Sequence, residues 1–163
     1  MDLMEFSARE PFATVRARHL LTMRLEVGPI VKVGETPNGF RRLGFVTGGE
    51  LAGERLRGRV LAGGNDWQTI RSDGSILLDV RLALETDTGA VVTVSYRGLR
   101  RGPAEVLAAL DAGADVDPAS YYFRITPLFE TADADLAWLN GVVAIGVGHR
   151  TAAGPTYVVH ELM

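Results

Sequence analysis

Asp66 follows Gly63-Gly64-Asn65 and precedes Trp67, which sets a carboxylate beside a large apolar surface where the chain turns. On a loop at a barrel rim, such a carboxylate reaches a cavity as acid or base, with Trp67 as an apolar wall. An Asx turn with a packed Trp fits the same residues. A second group of charges comes from a hairpin. Residues 76–84 and 91–97 flank the turn residues Asp87-Thr88-Gly89. Centring the turn on Thr88 makes facing positions sum to about 176. Asp79 then faces Arg97, Arg81 faces Ser95 and Val80 faces Tyr96. Arg124, Thr126 and Glu130 share one parity on a later run, so Asp79, Arg97 and Arg124 can form one cluster.

Two arrangements satisfy that pattern. In one, the apolar face is a lumen and the charged face a solvated exterior, where an Asp–Arg pair is worth about 0–1 kcal/mol. In the other, the charged cluster sits in a wet lumen and the apolar face lies in a subunit interface. There Arg97 and Arg124 would bind a carboxylate or enolate oxygen. One Asp cannot neutralise two Arg, so Asp79 would stay ionised and orient them, leaving proton transfer to Asp66. Tyr96, beside Arg97, joins the binding residues in this reading. Trp138 and Asn140 occupy another connection, where Trp138 is either a plug at the barrel end or a platform for substrate.

Other chemistries lack the necessary residues. The chain has no cysteine, which excludes thiolate metal sites and Cys nucleophiles. His19, His149 and His160 show no short metal-binding spacing, so no metal is expected. None of the serines lies in a G-x-S-x-G context. The Gly-rich segments precede no helix and match no phosphate-binding fingerprint, so no nucleotide cofactor is expected. Lys plus Arg minus Asp plus Glu is 17 − 20 = −3, which argues against nucleic-acid binding through bulk charge. No apolar run approaches the roughly 20 residues of a membrane-spanning helix. The N-terminus lacks the pattern of a signal peptide, so a cytoplasmic location without membrane contact is expected.

The elements that must position these residues are mostly strands. Residues 21–27, 43–47, 55–61, 76–84, 91–97, 121–126, 142–147 and 157–160 read as β, giving eight or nine strands with Gly-rich breaks. Residues 103–110 start with Pro and are rich in helix formers, which predicts a short helix. The insertion carrying it, between Arg101 and Tyr121, is long for a meander and is read as a lid over one barrel mouth. Residues 133–139 read as one helical turn. One helix cannot cover both faces of a long sheet, so the sheet is expected to close into an antiparallel barrel. Residues 1–17 read as an N-terminal arm and 18–163 as a single barrel domain.

Several motifs occur in order: Gly48-Gly49 with Gly53, Gly63-Gly64-Asn65-Asp66-Trp67, Leu78-Asp79-Val80-Arg81, Arg97-Gly98, Tyr121 to Pro127, and Trp138-Leu139-Asn140. Over residues 18–162 this set resembles an uncharacterised bacterial family, a domain of unknown function. The resemblance implies a closed, calycin-like all-β barrel similar to allene oxide cyclase, with a central cavity. The sequence departs from the family at Tyr96, where Asn tends to precede the Arg-Gly pair. No reaction follows from the fold alone. Two functions fit: a cofactor-independent isomerase, cyclase or lyase acting on a small apolar or aromatic carbonyl or carboxylate compound, or a non-catalytic lipocalin-like carrier. Alternately charged and apolar strand faces lead us to expect a homodimer.

Overall fold

Alternation at period two governs most of the chain, and it folds accordingly. The computed structural model describes residues 2–163. Its strands are β1 (Ala17–Val27), β2 (Val31–Thr36), β3 (Gly39–Ala52), β4 (Arg57–Val60), β5 (Asn65–Ile70), β6 (Ile76–Thr86), β7 (Val91–Arg101), β8 (Tyr122–Glu130), β9 (Ala144–Arg150) and β10 (Pro155–Leu162). Helix α1 (Leu3–Ser7) precedes them, and α2 (Ala104–Asp111) lies between β7 and β8. Among the described residues no helix is long and apolar enough to cross a membrane.

The sheet runs β1-β10-β9-β8-β7-β6, continues through β4 and β5 to β3, and closes where β3 pairs β1. Counting β4 and β5 as one position gives eight around a closed antiparallel barrel; β2 is an extra strand on β3. Closure leaves no free edge on the ring. The β6–β7 hairpin has the expected register: Asp79 faces Arg97, Val80 faces Tyr96 and Arg81 faces Ser95.

Register fixes which residues point inward, because partners across an antiparallel ladder share a face. Gly44, Asp66, Val80, Tyr96 and Pro127 form one inward row. Trp67, Asp79, Arg97 and Thr126 form the adjoining outward row. The inward set is the core: Leu78, Val80, Leu82, Leu84, Val92, Val94, Phe123 and Ile125 are all buried. Each such side chain contributes roughly 1.5–3 kcal/mol by leaving water. Hydrophobic burial therefore decides the choice between the two faces. Turning the other face inward would strip Asp79, Arg81 and Arg97 of water on neighbouring strands, a cost of several kcal/mol per ion.

Two local devices shape the lumen. Gly148 leaves room for the Phe123 ring; a Cβ there would stand 2.7 Å from its Cδ1. Phe123 and Tyr96 both pack edge-on against Tyr157, with centroids 5.4 and 5.5 Å away. At the same end of the barrel, α2 begins immediately after its N-cap residue Pro103 and stops before Gly113, whose φ of +79° suits glycine. It buries Leu107 and Leu110, one turn apart, against the core.

Candidate functional site

The inward row ends in a cavity of about 90 Å³ between the barrel and α2. On this measure a single water needs about 10–15 Å³, so the space admits a small organic molecule. Its apolar walls include Leu25, Val46, Leu78, Leu110 and Phe123; its polar residues are Arg42, Asp66, Gln68, Tyr96, Arg100, Asp111, Arg150 and Tyr157.

Asp66 belongs to β5, not to a loop. The expected rim turn is in fact a strand in which Asp66, Gln68 and Ile70 point in while Asn65, Trp67 and Thr69 point out. Polar residues on both faces hide its alternation from a hydrophobicity pattern. Gln68 Nε2 donates to Asp66 Oδ2 at 2.5 Å, which holds the carboxyl in place. Asp66 Oδ1 is buried and has no hydrogen-bond partner among the described residues. Burial raises the Asp66 pKa from 3.8 to about 6, against the opposing pulls of Gln68, Arg100 and Arg42.

A chain of polar contacts runs from Asp66 to the mouth. Arg42 Nε donates to Gln68 Oε1 at 2.6 Å, and its two Nη atoms approach Asp111 at 3.3 Å. Arg100 Nη2 donates to the same carboxylate at 3.1 Å. Side-chain exposure falls from 44% at Asp111 to 14% at Arg42 and 6% at Arg100, so the chain leads inward. Burial pulls the Arg100 and Arg150 guanidinium pKa values down, but both remain charged. The Tyr96 and Tyr157 hydroxyls are held neutral, because burial raises them far above the usual phenol value. The two phenols influence one another, yet Tyr157 Oη makes no well-formed hydrogen bond.

Of the residues expected at a site, Asp66 and Tyr96 line this cavity. The others need correction. Asp79 and Arg97 are exposed on the outward row, and no ion pair joins them. Arg124 also lies outside, donating to the Phe123 carbonyl and stacking 4.6 Å over Tyr122. Asp79, Arg97 and Arg124 therefore form no lumenal anion site. Trp67 is 47% exposed on the exterior and walls nothing. Trp138 packs against the far barrel end, where Arg55 stacks 3.9 Å over its ring and also pairs with the buried Glu161. Asn140 braces that end by bonding both the N–H and the carbonyl of Thr131, at 2.8 and 2.9 Å.

Arg42, Gln68, Arg100, Asp111, Arg150 and Tyr157 escaped the sequence reading. Parity offered a signal for two of them. Arg100 continues the inward set Val92, Val94, Tyr96 and Gly98, and Tyr157 shares its parity with Val159. Arg42 and Arg150 come together only through barrel closure.

A family model described as a protein of unknown function (DUF3237) matches residues 15–162. A UPF0311 protein of Rhodopseudomonas palustris is 39% identical over 150 residues, which span 92% of this chain and 98% of that protein. The crystal structure of a conserved protein of unknown function from Rhodopseudomonas palustris matches with a TM-score of 0.87 at 37% identity, covering 92% and 98% of the two chains. A β-barrel-like protein from Acinetobacter baumannii gives 0.81 at 38% identity over 92% and 97%. An enzyme from Penicillium herquei shares the fold at 22% identity, with a TM-score of 0.69 over 91% and 95%. The closed barrel, its ordered motifs and these matches agree: the chain belongs to the DUF3237 family.

Proposed function

We propose that the protein is a cofactor-independent enzyme of isomerase, cyclase or lyase type, acting on a small apolar or aromatic carbonyl or carboxylate compound. One observation carries this reading: Asp66 presents an unpartnered, buried carboxyl oxygen to a cavity, and its pKa lies near 6. A carboxyl poised near neutrality can both take and return a proton. In an isomerisation, Asp66 Oδ1 accepts a proton from carbon next to a carbonyl, and the electron pair moves onto the carbonyl oxygen. The Tyr157 hydroxyl, buried without a hydrogen-bond partner among the described residues, is the donor for that oxygen. Where a carbon–carbon double bond extends that enolate, returning the proton to its far carbon shifts the double bond and completes the isomerisation with no net gain or loss of atoms.

The test is incubation of the purified protein with bacterial small-molecule extract in D₂O, followed by mass spectrometry. Isomerisation labels a carbonyl compound with deuterium, and lyase chemistry lowers a mass. The reading requires the conversion to collapse in Asp66→Asn; conversion at the wild-type rate in that variant refutes it.

Two further features belong to this proposal. Helix α2 contributes Leu110 and Asp111 to the cavity, and we take it as the lid through which substrate enters. Its amides should exchange with solvent faster than those of residues 91–94, and more slowly once ligand is bound. Equal protection in both states would rule out a lid. The exterior of β8, β9 and β10 leaves Leu128 60%, Ile145 39%, Val147 40% and Val158 37% exposed. This apolar exterior supports a homodimer. Light scattering at high micromolar concentration should give the mass of two chains, and a monomer mass contradicts the assignment.

A further inference from the structure

The donors and charges in the cavity do not balance, and the imbalance points to the ligand. Arg42, Arg100 and Arg150 bring three positive charges, and Asp66 and Asp111 bring at most two negative ones. Asp111 is shared, receiving hydrogen bonds from both Arg42 and Arg100. Arg150 enters no ion pair among the described residues. Among the described residues, moreover, two guanidinium groups keep buried nitrogens with no acceptor: Arg100 Nε and Arg150 Nη1. Arg100 is only 5% exposed. A buried guanidinium N–H without an acceptor is costly, more so than a neutral donor. Such groups find their acceptor outside the chain, in an ordered water or in a ligand that displaces it.

The barrel also explains how these two arginines meet. Arg100 ends the inward row of β7, one strand from the Phe123 position that it faces across the β7–β8 ladder. Arg150 closes β9 opposite Pro155 of β10, and its backbone N–H is anchored by the Tyr121 hydroxyl at 2.8 Å. Both therefore project from strands into a space whose apolar walls include Leu25, Leu78 and Phe123. A guanidinium pair above an apolar wall matches a ligand with a charged head and a hydrocarbon body.

We propose that the cavity takes an organic monocarboxylate, its carboxylate oxygens accepting hydrogen bonds from Arg100 Nε and Arg150 Nη1 and its apolar body lying against Phe123 and Leu78. This deepens the functional reading above and rests on it for the identity of the pocket. With Asp66 and Asp111 both ionised, a single negative charge neutralises the excess of one arginine. A neutral ligand leaves that charge uncompensated, and a dianion overshoots it. The same placement leaves Asp66 Oδ1 free to meet the ligand's reacting hydrogen. Asp111 acts as the resident carboxylate that keeps Arg42 and Arg100 ordered at the mouth.

The experiment compares benzoate with benzamide, which share shape but differ in charge, by calorimetric titration into the full-length protein at low ionic strength. Benzoate should bind about tenfold or more tightly than benzamide. That preference should vanish in Arg100→Gln and in Arg150→Gln, with circular dichroism and melting curves showing that the barrel is retained. Arg150 is the less buried of the two, so its variant decides the matter if Arg100→Gln does not fold. Equal affinity for the two probes, binding of neither at millimolar concentration, or a preference surviving in the folded variants would each overturn the proposal. Because the readout is binding, it separates from turnover. Loss of proton transfer at Asp66 leaves the benzoate preference intact, whereas absence of that preference leaves Asp66 free to act on a neutral carbonyl compound.

Discussion

Asparagine in place of Asp66 lowers turnover about 10²-fold or more, the size expected when a general acid–base group is removed. The substitution is nearly isosteric, and an amide oxygen still accepts the hydrogen bond from Gln68 Nε2 that positions the group. What disappears is the ability of Oδ1 to hold and release a proton. The pH profile carries the same signature. For proton abstraction the ionised form is required, so kcat/KM rises with pH through about 6 and levels off above it. A profile flat from pH 5 to 8, together with wild-type turnover in Asp66→Asn, would remove Asp66 from the mechanism.

Stability responds to the same carboxyl, in the opposite direction to most aspartates. Asp66 ionises near 3.8 when unfolded and near 6 when folded. Below about pH 3 it is protonated in both states and has no effect on stability. Between about 4 and 6 the folded protein keeps a proton that the unfolded chain has released, so stability falls as pH rises. Above 6 the penalty is constant, about two pKa units or ~3 kcal/mol. Asp66→Asn does not titrate and escapes this penalty. At pH 7–8 it should be more stable by up to ~3 kcal/mol, roughly 6–12 °C in Tm for a domain of this size. Thermal melts across the pH range should show the advantage shrinking through pH 4 and vanishing near pH 3. An Asn variant that melts below the wild type at pH 8 contradicts the burial of an ionisable carboxyl. A gain in stability with a loss of activity is the usual trade at a site that keeps a charge in apolar surroundings.

The barrel was legible in the sequence because burial writes itself at period two. The runs 76–84 and 91–97 show alternation and a turn signal, and their register emerges residue for residue. Strands β2 and β5 do not show it. Val31-Lys32-Val33 is largely exposed, and Asn65-Asp66-Trp67-Gln68 carries polar side chains on both faces. The site was harder to read for the same reason. A functional lumen places charges among apolar residues, so it contradicts the rule by which lumens are found. Asp66 stood out through its Gly-Gly and Trp neighbours, although Trp67 points the other way. The arginines that attracted notice, Arg97 and Arg124, lie beside apolar positions and therefore face outward. Arg42, Arg100 and Arg150 come from β3, β7 and β9, and only the closing of the sheet gathers them.

The most direct test of Asp66 as the proton-transfer group is its own titration. With ¹³C-labelled aspartate, the carboxyl resonance assigned by its loss in Asp66→Asn should titrate with a midpoint near 6. A midpoint at or below the ordinary aspartate value of about 3.9 would show a solvated or fully paired carboxylate and would contradict the role assigned to it.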